Sequence, residues 1–182
     1  MQHWWWKMQE INKVKITASE IAKRKSELPA SLARRVPAVF QAAFLAAKDV
    51  FDPKGAGSRA TANQEKPTAI ICISALGCLN ETISFLDKFE ETSFGSPKDF
   101  VFSVHNSLGG MLAKEFGITG TNITITDTNI EKAIEIAEIS DDKIILIIEF
   151  DDGNEFAKQF YEKCGETPTE EPFATARIIQ KI

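Results

Sequence analysis

Apolar residues fall along this chain in two rhythms, and the alternation between them predicts its elements. In residues 36–51, VPAVFQAAFLAAKDVF, the residues Val36, Phe40, Ala43, Phe44, Ala47 and Phe51 line one broad stripe, which predicts a helix. Pro37 suits its first turn, where a missing N–H costs nothing. Residues 79–91 predict a second, amphipathic helix with Ile83, Leu86 and Phe89 on one side. Residues 107–117 predict a short helix in which Gly109 and Gly110 permit close packing and Gly117 supplies a left-handed C-cap. A further helix over 129–139 carries Ile130, Ala133, Ile134 and Ala137 at helical spacing, with Thr128 and Glu131 in the register of a capping box. Residues 155–165 predict a surface helix.

The second rhythm is the unbroken apolar run. TAIICIS (68–74) and KIILIIEF (143–150) show no polar alternation, so both predict buried strands. The second has the character of a central parallel strand covered on both faces. NITIT (122–126) predicts a β-branched strand, and FATARIIQKI (173–182) a final strand at an edge. Residues 52–67 are a loop by composition, and residues 96–106 read as a loop with a short extended piece. Strands that alternate with helices imply an α/β layered fold with a mostly parallel sheet. Residues 1–30 are polar and basic with weak periodicity, which predicts an irregular N-terminal arm ahead of a domain over 31–182.

Charge sharpens this division. Residues 1–60 hold eleven Lys/Arg against five Asp/Glu, whereas residues 61–182 hold ten against twenty-one. The net charge of −5 argues against general nucleic-acid binding. The basic cluster Lys23, Arg24, Lys25, Arg34 and Arg35 is either a docking surface for an acidic partner or a solvated helix face. Three scattered cysteines, Cys72, Cys78 and Cys164, fit a reducing, cytoplasmic compartment. No apolar run approaches the roughly 18–20 residues that cross a bilayer. Trp4, Trp5 and Trp6 form an aromatic start suited to packing on a partner or on the body, with a peripheral membrane anchor as the alternative.

Candidate chemistry is sparse. The histidines are His3 and His105, and no cysteine or histidine spacing fits a metal site, so neither metal nor cofactor is expected. Asp141-Asp142 and Asp151-Asp152 bracket the central strand and fit strand-end solvation better than an acid–base pair. His105 could act as a base or be held by a backbone carbonyl, and Asn106 is placed to cap the helix at Ser107. The turn Thr126-Asp127-Thr128-Asn129 joins a strand to a helix, the geometry on which enzymes mount a nucleophile, yet it offers no thiol.

Several ordered segments resemble one family. LPASLARRVPAVFQAAFLAAKDVF looks like an early arginine-containing helix of β-ketoacyl synthases. ISALGCLNETISFLDKFEETSFGSPKDFVFSVHNSLGGMLAKEFG resembles a divergent, chain-length-factor-like branch of that family, through its small-residue turn, helix, Ser-Pro, phenylalanine-rich run and Ser-Val-His-Asn. GITGTNITIT resembles the approach to the active-site elbow, and DDKIILIIEFDD and FATARIIQKI resemble later strands. The resemblance covers residues 29–182 and implies half of a thiolase-like (ketosynthase) fold.

An active ketosynthase presents a cysteine at that elbow, where the helix N-terminus lowers its pKa and holds the oxyanion. Here the position falls at Asn129, and no counterpart of the family's second-half histidines is expected in the chain. The resemblance therefore implies a non-catalytic, chain-length-factor-like subunit, a homodimer alone or a heterodimer with a partner ketosynthase. It also implies contact with acyl carrier protein and a bacterial fatty-acid, polyketide-type or aryl polyene pathway. Two other readings stay open: an acyl-transfer or hydrolytic enzyme using His105 and Asp127, and a degenerate binding module.

Overall fold

The computed structural model describes residues 8–34, 36–51, 65–165, 167 and 170–182. In chain order the elements are β1 (Met8–Thr17), α1 (Ala18–Lys23), a 3-10 turn (Lys25–Glu27), α2 (Ala30–Ala33), α3 (Ala38–Phe51), β2 (Ala69–Ser74), α4 (Leu79–Thr92), α5 (Pro97–Ser103), α6 (Ser107–Phe116), β3 (Asn122–Thr126), α7 (Glu131–Ile139), β4 (Ile144–Asp151), α8 (Glu155–Lys163) and β5 (Phe173–Lys181). One five-stranded sheet runs in the order β1-β5-β4-β2-β3. β2 pairs in parallel with β3 and β4, while β5 is antiparallel to both β4 and β1. All strands but β5 therefore point one way, the mostly parallel sheet that the alternation of elements implied.

The side chains of β4 show why it takes the centre. Ile144, Leu146, Ile148 and Phe150 point to one face and join α3 and α6 in the larger core. Ile145 and Ile147 point to the other, against Ala133 and Ala137 of α7. A strand buried on both faces has no use for polar alternation, and each fully buried isoleucine contributes roughly 1.5–3 kcal/mol relative to exposure. α6 lies close to the sheet because of Gly109: a methyl there would sit 2.7 Å from Asn122 Oδ1 and 3.2 Å from Cys72 Sγ. Gly110 has no such role, since a methyl there meets nothing within 4 Å, which corrects the expectation that both glycines serve packing. Gly117 closes α6 in the left-handed region at φ 70°.

Several expectations are corrected. Residues 8–30 are not an irregular lead-in. Met8–Thr17 is a ten-residue strand paired with β5, followed by α1 and the 3-10 turn. A bulge between Glu10 and Asn12 breaks its period-two pattern, so Ile11, Val14 and Ile16 all reach the α3 side despite their uneven spacing. β1 in turn makes β5 an inner strand rather than an edge. The polar look of β5 comes from Arg177, which spans its neighbours through Glu10 and Glu149, both at 3.1 Å. Residues 97–103 form α5 rather than a loop, with Ser96 as N-cap accepting the Asp99 amide and Pro97 in the first turn.

Candidate functional site

The carboxyl ends of β2, β3 and β4 lie side by side, the edge at which parallel sheets expose ligand sites. Ser74, at the end of β2, is buried and fastens two turns. Its Oγ accepts the Gly77 amide at 3.0 Å, and its carbonyl accepts the Asp127 amide at 3.0 Å. Gly77 adopts φ 68°, and a methyl on it would lie 2.2 Å from His105 Nδ1, so the imidazole packs flush against this turn. His105 Nε2 lies 3.1 Å from Thr126 Oγ1. Its bland alternative, a backbone carbonyl partner, gives way to this side-chain hydroxyl. Partial burial lowers the His105 pKa, which favours neutral imidazole. Asn106 occupies the N-cap position of α6, but its side chain makes no capping bond.

The turn after β3 is closed on itself. Asp127 Oδ1 accepts the Asn129 amide at 2.8 Å, and Asn129 Oδ1 accepts the Glu131 amide at 3.0 Å. Thr128 sits between these two side-chain turns. Glu131 is the first residue of α7 instead of its third, which puts the N-cap position at Ile130 rather than at the expected Thr128. The structure thus brings His105 to Thr126, while the Asp127 carboxylate is engaged by backbone.

A second group beside this turn went unread in the sequence. Cys78 is the N-cap residue of the fourteen-residue helix α4 and is buried. A cysteine at a helix start is a plausible nucleophile on position alone. Its surroundings act the other way: burial first, then the nearby Asp152 and Glu81 charges, raise the thiol pKa above its ordinary value. Asp152 accepts the Asn80 amide at 3.3 Å, and burial pushes its carboxyl up to about 7. Asp151 is buried too, with Oδ1 accepting the Gly153 amide at 2.7 Å. Both carboxylates are therefore interior fastenings, which corrects the reading of strand-end solvation. The only signal in the sequence was a cysteine directly before an amphipathic helix. Among the described residues, no group of three or more His, Cys, Asp or Glu is arranged to hold a metal ion.

The basic cluster is divided. Arg24 is clamped internally, with Nη1 2.6 Å from Asp49 Oδ2 and Nη2 2.7 Å from Glu27 Oε2, so it joins α1 to α3. Arg24, then Lys48, hold the Glu27 carboxyl down at about 2. Lys23, Lys25 and Arg34 are exposed, and Arg35 lies outside the described residues, as do His3 and Trp4–Trp6. A cleft of about 270 Å³ is lined by Phe51, Glu65, Lys66, Glu115, Phe116 and Ile178. No helix among the described residues is long and apolar enough to cross a membrane.

No protein-family model and no curated protein matches the chain. Solved structures do. A ketosynthase in complex with its chain length factor from Xenorhabdus doucetiae matches over 96% of this chain and 79% of that chain, with a TM-score of 0.68 at 19% identity. The ishigamide ketosynthase/chain length factor matches over 78% of this chain and 43% of that chain, with a TM-score of 0.58 at 16% identity. The chain thus spans less than half of the second structure's chain. The likeness shows a shared fold, in keeping with the fold that the ordered segments implied.

Proposed function

We propose that this chain is a chain-length-factor-like subunit without catalytic chemistry of its own, which supports a partner ketosynthase. The turn between β3 and α7 carries the reading. The resemblance puts a reactive thiol there in an active ketosynthase, with helix amides free to hold an oxyanion. In this chain Asn129 stands at that position, and the Asn129 and Glu131 amides are taken by Asp127 and Asn129 side chains. A turn that fills its own donors keeps the strand-to-helix geometry and lacks both nucleophile and oxyanion site. Cys78, at the start of α4, is held neutral by burial first and then by the Asp152 and Glu81 charges. Support for the partner comes from the fold, since both similar structures are ketosynthase/chain-length-factor complexes. The reading extends to a heterodimer in the bacterial cytoplasm, contact with acyl carrier protein, and a fatty-acid, polyketide-type or aryl polyene pathway.

A second reading draws on the 3.1 Å contact between His105 Nε2 and Thr126 Oγ1, in which neutral imidazole could activate the hydroxyl. One experiment separates the two. The purified chain is incubated with acyl-CoA, malonyl-CoA and acylated carrier protein, and its intact mass and any malonyl decarboxylation are followed. The proposed function requires an unchanged mass and no decarboxylation. A stable acyl adduct on a cysteine would refute it, and an adduct on Thr126 lost in His105→Gln would put the second reading in its place.

A further inference from the structure

The sheet has two broad faces, and they are finished differently. One is covered by α3 and α6. On the other, Ala133 and Ala137 of α7 pack against the isoleucines of β2 and β4. Toward β1 this second face turns polar. Ile147 of β4, which meets α7, stands beside Arg177 of β5, and Arg177 stands beside Lys13 of β1. Lys15 lies next along the same face, with Nζ 4.4 Å from the centroid of the Phe173 ring. Arg177 is neutralised by Glu10 and Glu149, each at 3.1 Å. Lys13 and Lys15 are exposed, and neither has a carboxylate partner among the described residues. The β1 half of this face is therefore a basic strip on a protein whose net charge is −5.

α7 carries the complement. Its buried alanines fix the side that meets the sheet, so Glu131, Glu135 and Glu138 form a ridge on the side turned away from it. Lys132 pairs with Glu135 at 3.0 Å, while Glu131 and Glu138 have no cation among the described residues. Ridge and strip thus keep equal and opposite surplus charge. Ile139, at the end of the ridge, is 83% exposed. The dimensions agree as well. Lys13 and Lys15 are about 6.8 Å apart along β1, and carboxylates four residues apart on a helix are about 6 Å apart. β4 to β1 spans two strand spacings, about 9.6 Å, close to the width of about 10–12 Å that a helix occupies. A second copy, turned by a twofold axis that runs along the strands, lays its α7 on this strip while its own strip receives the first α7. The twofold makes each contact twice. An anionic membrane or an unrelated acidic protein would match the strip and leave the acidic ridge beside it facing like charge. A second copy matches both.

We infer that the chain pairs with a second copy of itself through this broad face, the α7 ridge of each copy seated on the β1–β5 strip of the other. β1 and β3 are opposite edges of the sheet, so the inference does not rest on the proposed function. The test sediments the full chain across micromolar concentrations at low and high salt. Lys13→Glu/Lys15→Glu and Glu135→Lys/Glu138→Lys are run beside it, each alone and then mixed in equal amounts. The natural chain should dimerise, more weakly at high salt, and each variant alone should raise the dimer dissociation constant roughly tenfold or more. The mixture should recover the dimer, because in a mixed pair every ridge again meets a strip of opposite charge. A folding defect would not be repaired by mixing, and thermal unfolding of each variant checks for one. Carbodiimide cross-linking of the natural chain, part of it isotope-labelled, needs no variant. It should join Lys13 or Lys15 of one copy to Glu131, Glu135 or Glu138 of another. A monomeric natural chain would overturn the inference, as would a dimer indifferent to both variants, folded variants that the mixture does not restore, or an absence of those cross-links between copies. None of these results bears on the turn after β3, so the proposed function would stand.

Discussion

α3 and α4 are both fourteen residues long, and they live in opposite environments. α3 buries ten residues, among them Phe40, Leu45 and Val50, between the sheet and the early helices. α4 buries none. The two helices share a vocabulary of phenylalanine, leucine and isoleucine or valine, so composition does not separate them. What separates them is the polar complement. α3 carries alanine on the sides that press against neighbours, whereas α4 alternates its apolar stripe with Glu81, Asp87, Lys88, Glu90 and Glu91. The first pattern belongs to a helix enclosed by its own chain. The second belongs to a helix with one apolar stripe that the described residues leave uncovered. The molecule thus has a closed side, at β1, β5, β4 and α3, and an open side at β3 and the α4–α5 hairpin.

Truncation is the sharpest way to break this comparison. Phe40→Ala should cost about 3–5 kcal/mol, because the ring is fully buried and meets the Phe102 ring edge-on at 5.2 Å. Leu86→Ala in the open helix should stay within about 0.5 kcal/mol. Urea unfolding of both variants reads the contrast directly, and similar costs would mean that α4 is as enclosed as α3.

The join between the two sides should respond to pH. Asp152, after β4, accepts the Asn80 amide at the start of α4, and its carboxyl rises from 3.8 to about 7 through burial. A raised folded-state value favours the protonated form, so its contribution to stability is complete below about pH 3.8 and is lost as pH climbs through 7. Asp152→Asn, which stays neutral, should lack this component. Its stability relative to the natural chain should improve by on the order of 4 kcal/mol between pH 4 and pH 8. Parallel stability profiles would show that Asp152 is not charged against a penalty.

The smallest effects come from adjacent glycines. Gly109→Ala should destabilise by about 1–3 kcal/mol, since its methyl meets Asn122 Oδ1 and Cys72 Sγ on the sheet. Gly110→Ala points into open space and should stabilise α6 by about 0.5–1 kcal/mol. Equal signs for the two would contradict the seating of α6 on the sheet.

Much of the closed side was legible in the sequence. The unbroken run of β4 and the stripe of α3 state their burial outright, because a residue covered on all sides leaves no room for polar punctuation. β1 was hidden by its bulge and by the exposed lysines that an edge strand tolerates. α5 was hidden because Ser96-Pro97, the start of a segment read as a loop, serves as cap and first turn. The turn at Thr126–Asn129 was visible as a strand-to-helix joint, but the atoms that close it were not. Pairings such as His105 with Thr126, or Asp152 with Asn80, join residues 21 and 72 positions apart, and no local pattern encodes them. Cys78 was seen only as a scattered cysteine, since its raised pKa comes first from burial and then from Asp152, brought from beyond β4, and from Glu81.

Hydrogen–deuterium exchange of the full chain, alone and with a ketosynthase of the kind the proposed function pairs with it, tests the open side most directly. The amides of β3 and of residues 86–101 should exchange readily in the free chain and become protected in the complex. Those of α3 and β4 should be protected in both. Unchanged exchange in β3 and the hairpin on adding the ketosynthase, or new protection confined to β1 and α1, would contradict the assignment of an open docking side.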